Sequence, residues 1–188
     1  MAVQPAGRLI AVVGPSGAGK DTLLAGARAL RPALVVARRV ITRPEEADGE
    51  PFEGVSVVEF EARKARGAFA LHWVAHGLSY GIPTSIHAEM AAGRSVLFNG
   101  SRGVLPRARM LFPALSVIVV TADRATLRSR LAARGRESGA DLDRRLERAD
   151  FALPDDMEYQ VVDNSGAVAE AVQALVAVLD RLTDDPRG

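Results

Sequence analysis

The sequence predicts an α/β fold: a parallel β-sheet with helices on both faces. Three observations carry this. Runs that are continuously apolar and rich in valine and isoleucine, such as Leu9-Ile10-Ala11-Val12-Val13 and Val117-Ile118-Val119-Val120, read as strands buried on both sides. Stretches with apolar residues at helical spacing lie between them, and strands that alternate with helices imply right-handed crossovers. Proline, glycine and polar clusters punctuate the boundaries.

In chain order, 9–13 is a central strand. Residues 20–30 form a helix with Leu23, Leu24, Ala27 and Leu30 on one face, and Pro32 ends it. A strand follows at 34–37. From Val40 to about Pro83 the texture changes. A polar, turn-rich excursion starts at Thr42-Arg43-Pro44, and Ser56 caps a helix reaching about Arg66. Phe69–Trp73 and Leu78–Ile82 read as short strands flanking His76-Gly77. Residues 38–83 are therefore expected to be a small insert in the α/β frame of a single domain spanning 1–188. Further on come a helix at 85–92, a strand at 95–99, a helix at 106–110 and a strand at 116–121. A helix from Asp123 to about Ala133 breaks at the loop 134–139 and resumes at 142–149. A strand at 160–163 precedes a final helix with Val168, Val172, Leu175, Leu179 and Leu182 on its core face, and a polar tail is expected from Thr183.

Composition narrows the function classes. The net charge is +1, so no global field attracts nucleic acid or a membrane surface, and neither is an expected partner. Cysteine is absent, which excludes disulfides, thiolate metal sites and a cysteine nucleophile. The apolar run after Arg8 is too short for a signal-peptide core, and no stretch approaches a transmembrane length. A cytoplasmic protein is the expectation. Of the 24 basic residues all but Lys20 and Lys64 are arginine, which makes a single arginine weak evidence and Lys20 strong evidence for a site.

Lys20 ends the stretch Gly14-Pro15-Ser16-Gly17-Ala18-Gly19-Lys20, and Asp21-Thr22 follow it. A glycine-rich loop between a strand and a helix turns its backbone N–H groups inward as an anion nest, and the lysine adds a compact charge for the β- and γ-phosphates. The helix that follows presents its positive end to the same anion. The usual pattern has a hydroxyl directly after the lysine, to touch Mg²⁺. Here Asp21 stands there and Thr22 comes one later, so either is a candidate metal ligand. ATP and Mg²⁺ are the expected cofactors.

Polar groups collect at the carboxyl ends of the expected strands, where this architecture binds ligands: Gly14, Arg38, Asn99, Thr121 and Asn164. On the acceptor side are Arg38, Arg39 and Arg43, with Tyr80, His72 and His76 nearby. Arginine forks suit an acceptor that is itself a phosphate, and such an acceptor is ionised near neutrality and needs no general base. A second basic group comprises Arg130, Arg134, Arg136, Arg145 and Arg148. It reads either as a lid that excludes water over the phosphates (134–144) or as a solvated hairpin paired with nearby acids.

Taken together, these motifs resemble the guanylate-kinase-like group of P-loop kinases over most of the chain. Ile41-Thr42-Arg43-Pro44 with Gly49-Glu50 is similar to that group's acceptor loop, Tyr80-Gly81 follows in its order, and Asp163-Asn164 is similar to its adenine-side turn. The glutamate that reads guanine in that group maps by counting from Tyr80-Gly81 onto Leu71, and Phe52 stands where a phosphate-holding tyrosine is expected. Gly19-Lys20-Asp21 and Val96-Leu97-Phe98-Asn99-Gly100-Ser101-Arg102 resemble more closely the ribose 1,5-bisphosphate phosphokinases of bacterial phosphonate degradation.

The resemblance implies ATP-dependent conversion of a small sugar phosphate, ribose 1,5-bisphosphate, to 5-phosphoribosyl 1-diphosphate. It implies nucleotide contacts from the loop 14–22, Arg130 and Asn164, and acceptor contacts from Arg38, Arg43, Tyr80, Asn99, Arg102 and Arg136. Catalytic charge stabilisation falls to Lys20, Arg134 and Arg145. The alternatives are a nucleoside monophosphate kinase with altered base preference and a catalytically silent binding module. The retained Lys20 and lid arginines speak against the latter. Oligomeric state is not legible.

Overall fold

The computed structural model describes residues 7–45, 51–133, 153 and 156–184. Its main sheet has five parallel strands in the order β2-β7-β1-β8-β9: β1 (Leu9–Val13), β2 (Val35–Val36), β7 (Val96–Asn99), β8 (Ser116–Thr121) and β9 (Gln160–Asp163). Every residue of β1 is fully buried. Its side chains alternate: Ile10 and Val12 pack with α1 (Lys20–Leu30), α5 (Arg124–Ala133) and α6 (Val168–Asp184). Leu9, Ala11 and Val13 pack on the other face with α3 (Ile86–Ala91) and α4 (Leu105–Leu111). A strand enclosed on both sides has no use for a polar residue, which is why the run is unbroken.

A second sheet, β4-β3-β6-β5, holds the insert: β3 (Val40–Ile41), β4 (Glu53–Gly54), β5 (Phe69–Ala75) and β6 (Leu78–Pro83). Strands β5 and β6 form a hairpin closed by His76 (φ 52°) and Gly77 (φ 74°), both left-handed as a type I′ turn requires. Leu71 and Ile82 join this sheet to the second core cluster of the main sheet. Helix α2 (Val57–Ala65) covers the other side, where the Phe60 and Phe69 rings stack at 4.7 Å. Ser56 Oγ caps α2 by accepting from the Glu59 amide at 3.1 Å.

Several boundaries differ from the sequence expectation. β2 is confined to Val35–Val36, although the Ala37 amide still donates to the Leu97 carbonyl at 2.8 Å. β3 and β4 were not expected; two residues each carry no periodicity. A 3₁₀ turn, Arg102–Val104, leads into α4. α6 runs on to Asp184, with Thr183 Oγ1 donating to the Leu179 carbonyl at 3.0 Å. The expected loop and helix of the lid, 134–149, lie outside the described residues. No helix among the described residues is long and apolar enough to cross a membrane.

Candidate phosphate-transfer cleft

Strand β1 delivers Gly14 to the carboxyl edge of the sheet, and the chain turns there into α1. The loop's shape is enforced by what surrounds it. A Cβ on Gly14 would lie 2.2 Å from the Val120 carbonyl oxygen, and one on Gly19 would lie 2.4 Å from Asn164 Nδ2. Gly17 and Gly19 hold φ near +87° and +88°, conformations that side chains resist. The Lys20 ammonium donates to the carbonyls of Gly14 (2.9 Å) and Pro15 (3.1 Å), which keeps it at the loop's mouth.

The far side of the loop is buttressed. Asn164, 1% exposed, donates Nδ2 to the Ala18 carbonyl at 2.8 Å. Arg130 from α5 donates to the carbonyls of Asn164 (2.9 Å) and Ala18 (3.4 Å). The Asn164 Oδ1 is buried and without a hydrogen-bond partner. Next to it, Asp123 caps α5 by accepting from the Thr126 amide at 2.7 Å, a bond that holds its carboxyl below the usual range.

Facing the loop is the insert. A cleft of about 220 Å³ is lined by Gly14, Ser16, Gly17, Gly19, Lys20, Asp21 and Thr22 on one side. Arg39, Trp73, Ala75, His76, Tyr80, Asn99, Gly100 and Ser101 line the other. Asn99, at the end of β7, donates its side-chain amide to Asp21 Oδ1, and its carbonyl accepts from Arg39 Nη1 at 3.3 Å. The Arg39 guanidinium lies 5.7 Å from the centroid of the Tyr80 ring, and Tyr80 stacks on Trp73 at 5.2 Å with 9° between the planes. Asp21 is the only carboxylate among the described lining residues.

The structure thus brings together Gly14, Ser16, Gly17, Gly19, Lys20, Asp21, Thr22, Tyr80 and Asn99 in one cleft, with Pro15, Ala18, Arg130 and Asn164 supporting it. It places three other predicted residues elsewhere. Arg38 is exposed, pairs with Glu45 at 3.3 Å and donates to the Phe52 carbonyl at 3.1 Å; it lines a separate cavity beside α1. Arg43 stacks on Phe52, 4.4 Å from its centroid, and borders a shallow groove with Thr42 and Pro44. Arg102 is exposed at the start of the 3₁₀ turn. Arg134, Arg136 and Arg145 lie outside the described residues.

Leu71 is fully buried against the main core, so it is not the cleft wall that counting along the strand suggested. His72 points away from the cleft, with Nε2 3.1 Å from Arg107 Nη2. The residues that sequence reasoning left out of the site are Trp73, Ala75, Gly100 and Ser101, while Arg39 was placed on the acceptor side without an assigned contact and His76 only near it. A usable signal existed for His76: a His-Gly pair between two apolar runs is a hairpin tip.

No family model matches the chain. Among known structures it is similar to a guanylate kinase from Anaplasma phagocytophilum, with a TM-score of 0.69 at 19% identity, covering 97% of this chain and 89% of that one. It is similar also to a gluconokinase from Sinorhizobium meliloti 1021, with a TM-score of 0.55 at 17% identity over 96% and 95% of the two chains. At those identities the likeness concerns the fold. In sequence, the chain is 50% identical over 183 residues to ribose 1,5-bisphosphate phosphokinase PhnN of Pseudomonas fluorescens (strain SBW25), covering 93% of this chain and 96% of the relative. It is 46% identical over 176 residues to the protein of the same name from Agrobacterium fabrum, covering 92% and 96%. With that identity spread over nearly the whole length of both proteins, the chain belongs to the ribose 1,5-bisphosphate phosphokinase PhnN family.

Proposed function

We propose that the protein transfers the γ-phosphoryl group of ATP to the 1-phosphate of ribose 1,5-bisphosphate, giving ADP and 5-phospho-α-D-ribose 1-diphosphate. The observation that carries this reading is the cleft itself. One wall is a phosphate loop, the other presents an arginine and a phenol, and the only carboxylate among the described lining residues is already hydrogen-bonded to Asn99. A guanine acceptor would leave its N–H donors unpaired there, at roughly 1–3 kcal/mol each.

The residues fit a nucleoside triphosphate and its metal. The glycine cradle tolerates no Cβ, and Lys20 stands at its mouth. Asn164 holds the loop in that shape from behind, through its Nδ2 on the Ala18 carbonyl. Asp21 and Thr22 supply the hard oxygen atoms that Mg²⁺ prefers, and the metal, when bound, neutralises charge on the β- and γ-phosphates. Lys20 and the loop amides orient the donor for in-line displacement. Asn99 fixes Asp21 from the acceptor side. One bond forms, between a 1-phosphate oxygen and the γ-phosphorus, as the bond to the β-phosphate oxygen breaks. The attacking oxygen is ionised near neutrality, so no side chain has to remove a proton. In this reading residues 1–188 form one domain, 38–83 are the acceptor insert, and 134–144 are a lid that carries Arg134 and Arg136 over the phosphates to exclude water, with Arg145 directly after it.

The test is ADP release with ribose 1,5-bisphosphate, GMP, AMP or UMP as acceptor. Turnover with the sugar bisphosphate alone is expected. Lys20→Ala should lower kcat by about 100-fold or more while leaving the thermal melt unchanged. Turnover of GMP without the sugar bisphosphate would replace this reading with a nucleoside monophosphate kinase.

A further inference from the structure

We propose that Arg39 is the residue that selects a bisphosphate: it binds the acceptor phosphate that takes no part in the transfer, the 5-phosphate. The inference rests on the function proposed above and assigns the part of the acceptor that the phosphate loop cannot read.

Strand order gives the first support. The main sheet runs β2-β7-β1, and Arg39 lies on the connection leaving β2, Asn99 ends β7, and the phosphate loop leaves β1. Two strand spacings, about 10 Å, therefore separate the backbone origins of Arg39 and of the loop, with Asn99 between them. An acceptor whose reacting phosphate lies beside Lys20 sends its second phosphate across Asn99 toward Arg39.

The second support is how firmly Arg39 is presented. Its neighbour Val40 is 1% exposed and pairs with Gly81, and the Arg39 carbonyl accepts from the Glu53 amide at 2.8 Å. Those two ties fix the phase of the chain, so that Arg38 faces outward and Arg39 faces the cleft. The Asn99 carbonyl and the Tyr80 ring then restrain the guanidinium. A planar fork held in this way is suited to a phosphate.

The third support is what the wall lacks. Tyr80 already stacks on Trp73 and carries Arg39 over its ring, so among the described residues this surface offers charge and a phenol but no slot between rings for a nucleobase. Among the described lining residues Arg39 and Lys20 are the two permanent cations, one for each end of a ligand with two phosphates.

The experiment is steady-state kinetics on wild type, Arg39→Met and Arg39→Lys, with melting curves to verify folding. Ribose 5-phosphate and ribose 1-phosphate serve as competitive inhibitors against ribose 1,5-bisphosphate. Arg39→Met should raise KM for the sugar bisphosphate by about 10- to 100-fold and leave KM for ATP unchanged. Inhibition by ribose 5-phosphate should weaken in parallel, while inhibition by ribose 1-phosphate should not change. Arg39→Lys, which keeps charge but not the fork, should show a smaller rise. An unchanged KM in a folded Arg39→Met protein, or equal weakening of both inhibitors, overturns the assignment. Wild-type protein that does not turn over ribose 1,5-bisphosphate overturns the functional reading itself and this assignment with it.

Discussion

On the donor wall the binding surface is main chain: Gly14, Gly17 and Gly19 hold conformations or close approaches that side chains resist, and Asn164 and Arg130 brace the loop through its carbonyls. On the acceptor wall the surface is side chain. Arg39, Tyr80 and Trp73 come from three segments of a small sheet in which two strands are only two residues long. The difference teaches where change is tolerated. A surface made of backbone fixes one ligand shape, the phosphate chain, and fails as a whole when perturbed. A surface made of side chains on a hairpin can exchange one residue and alter the acceptor.

Three substitutions press on this division. The largest effect is expected at the seam between the two sheets. Leu71→Glu places a carboxylate among Ile82, Ile86 and Phe98, where it has to be protonated or unfold its surroundings. A loss of about 4 kcal/mol in chemical denaturation is expected. A stable protein with improved guanylate binding would instead put Leu71 on the cleft surface.

Gly19→Ala comes next. Its φ of +88° strains an alanine, and the new methyl meets Asn164 Nδ2. A stability loss of about 1–2 kcal/mol is expected, with KM rising for ATP and not for the acceptor. Equal changes in both would show that the walls are not separate.

The smallest effect concerns the outer face of the insert. Burial, and then the nearby Arg107 cation, lower the His72 pKa from its ordinary value of 6.5. Because the folded value is the lower one, the stability that neutral His72 contributes is present above 6.5 and is lost as pH falls through the folded value. Melting temperatures of His72→Gln should therefore decline less than those of wild type from about pH 7 down to pH 5, with the sugar KM unaltered. Parallel pH profiles for the two proteins would remove His72 from the account.

The donor half was legible in the sequence because its signals are local: an unbroken apolar strand, closely spaced glycines and one rare lysine. The frame of parallel strands was legible for the same reason. The acceptor half was not, because the phase of a two-residue strand is set by its partners. Nothing in Arg38-Arg39 says which arginine faces inward; the pairing of Val40 with Gly81 decides it. Leu71 was misplaced by a related limit. It shares a sheet face with Trp73, but two residues along a strand are about 7 Å, enough to pass from the cleft into the core. Arg134, Arg136 and Arg145 lie outside the described residues, and their part in closure rests on the sequence alone.

The chain contains a single tryptophan, and Trp73 is it, set in the cleft wall and stacked on Tyr80. Its indole emission consequently has one source, next to the acceptor cation and within the same cavity as the phosphate loop. The protein therefore carries its own optical probe: intrinsic fluorescence, titrated with sugar phosphate or nucleotide separately, can report occupancy of each wall without a label, a coupling enzyme or turnover.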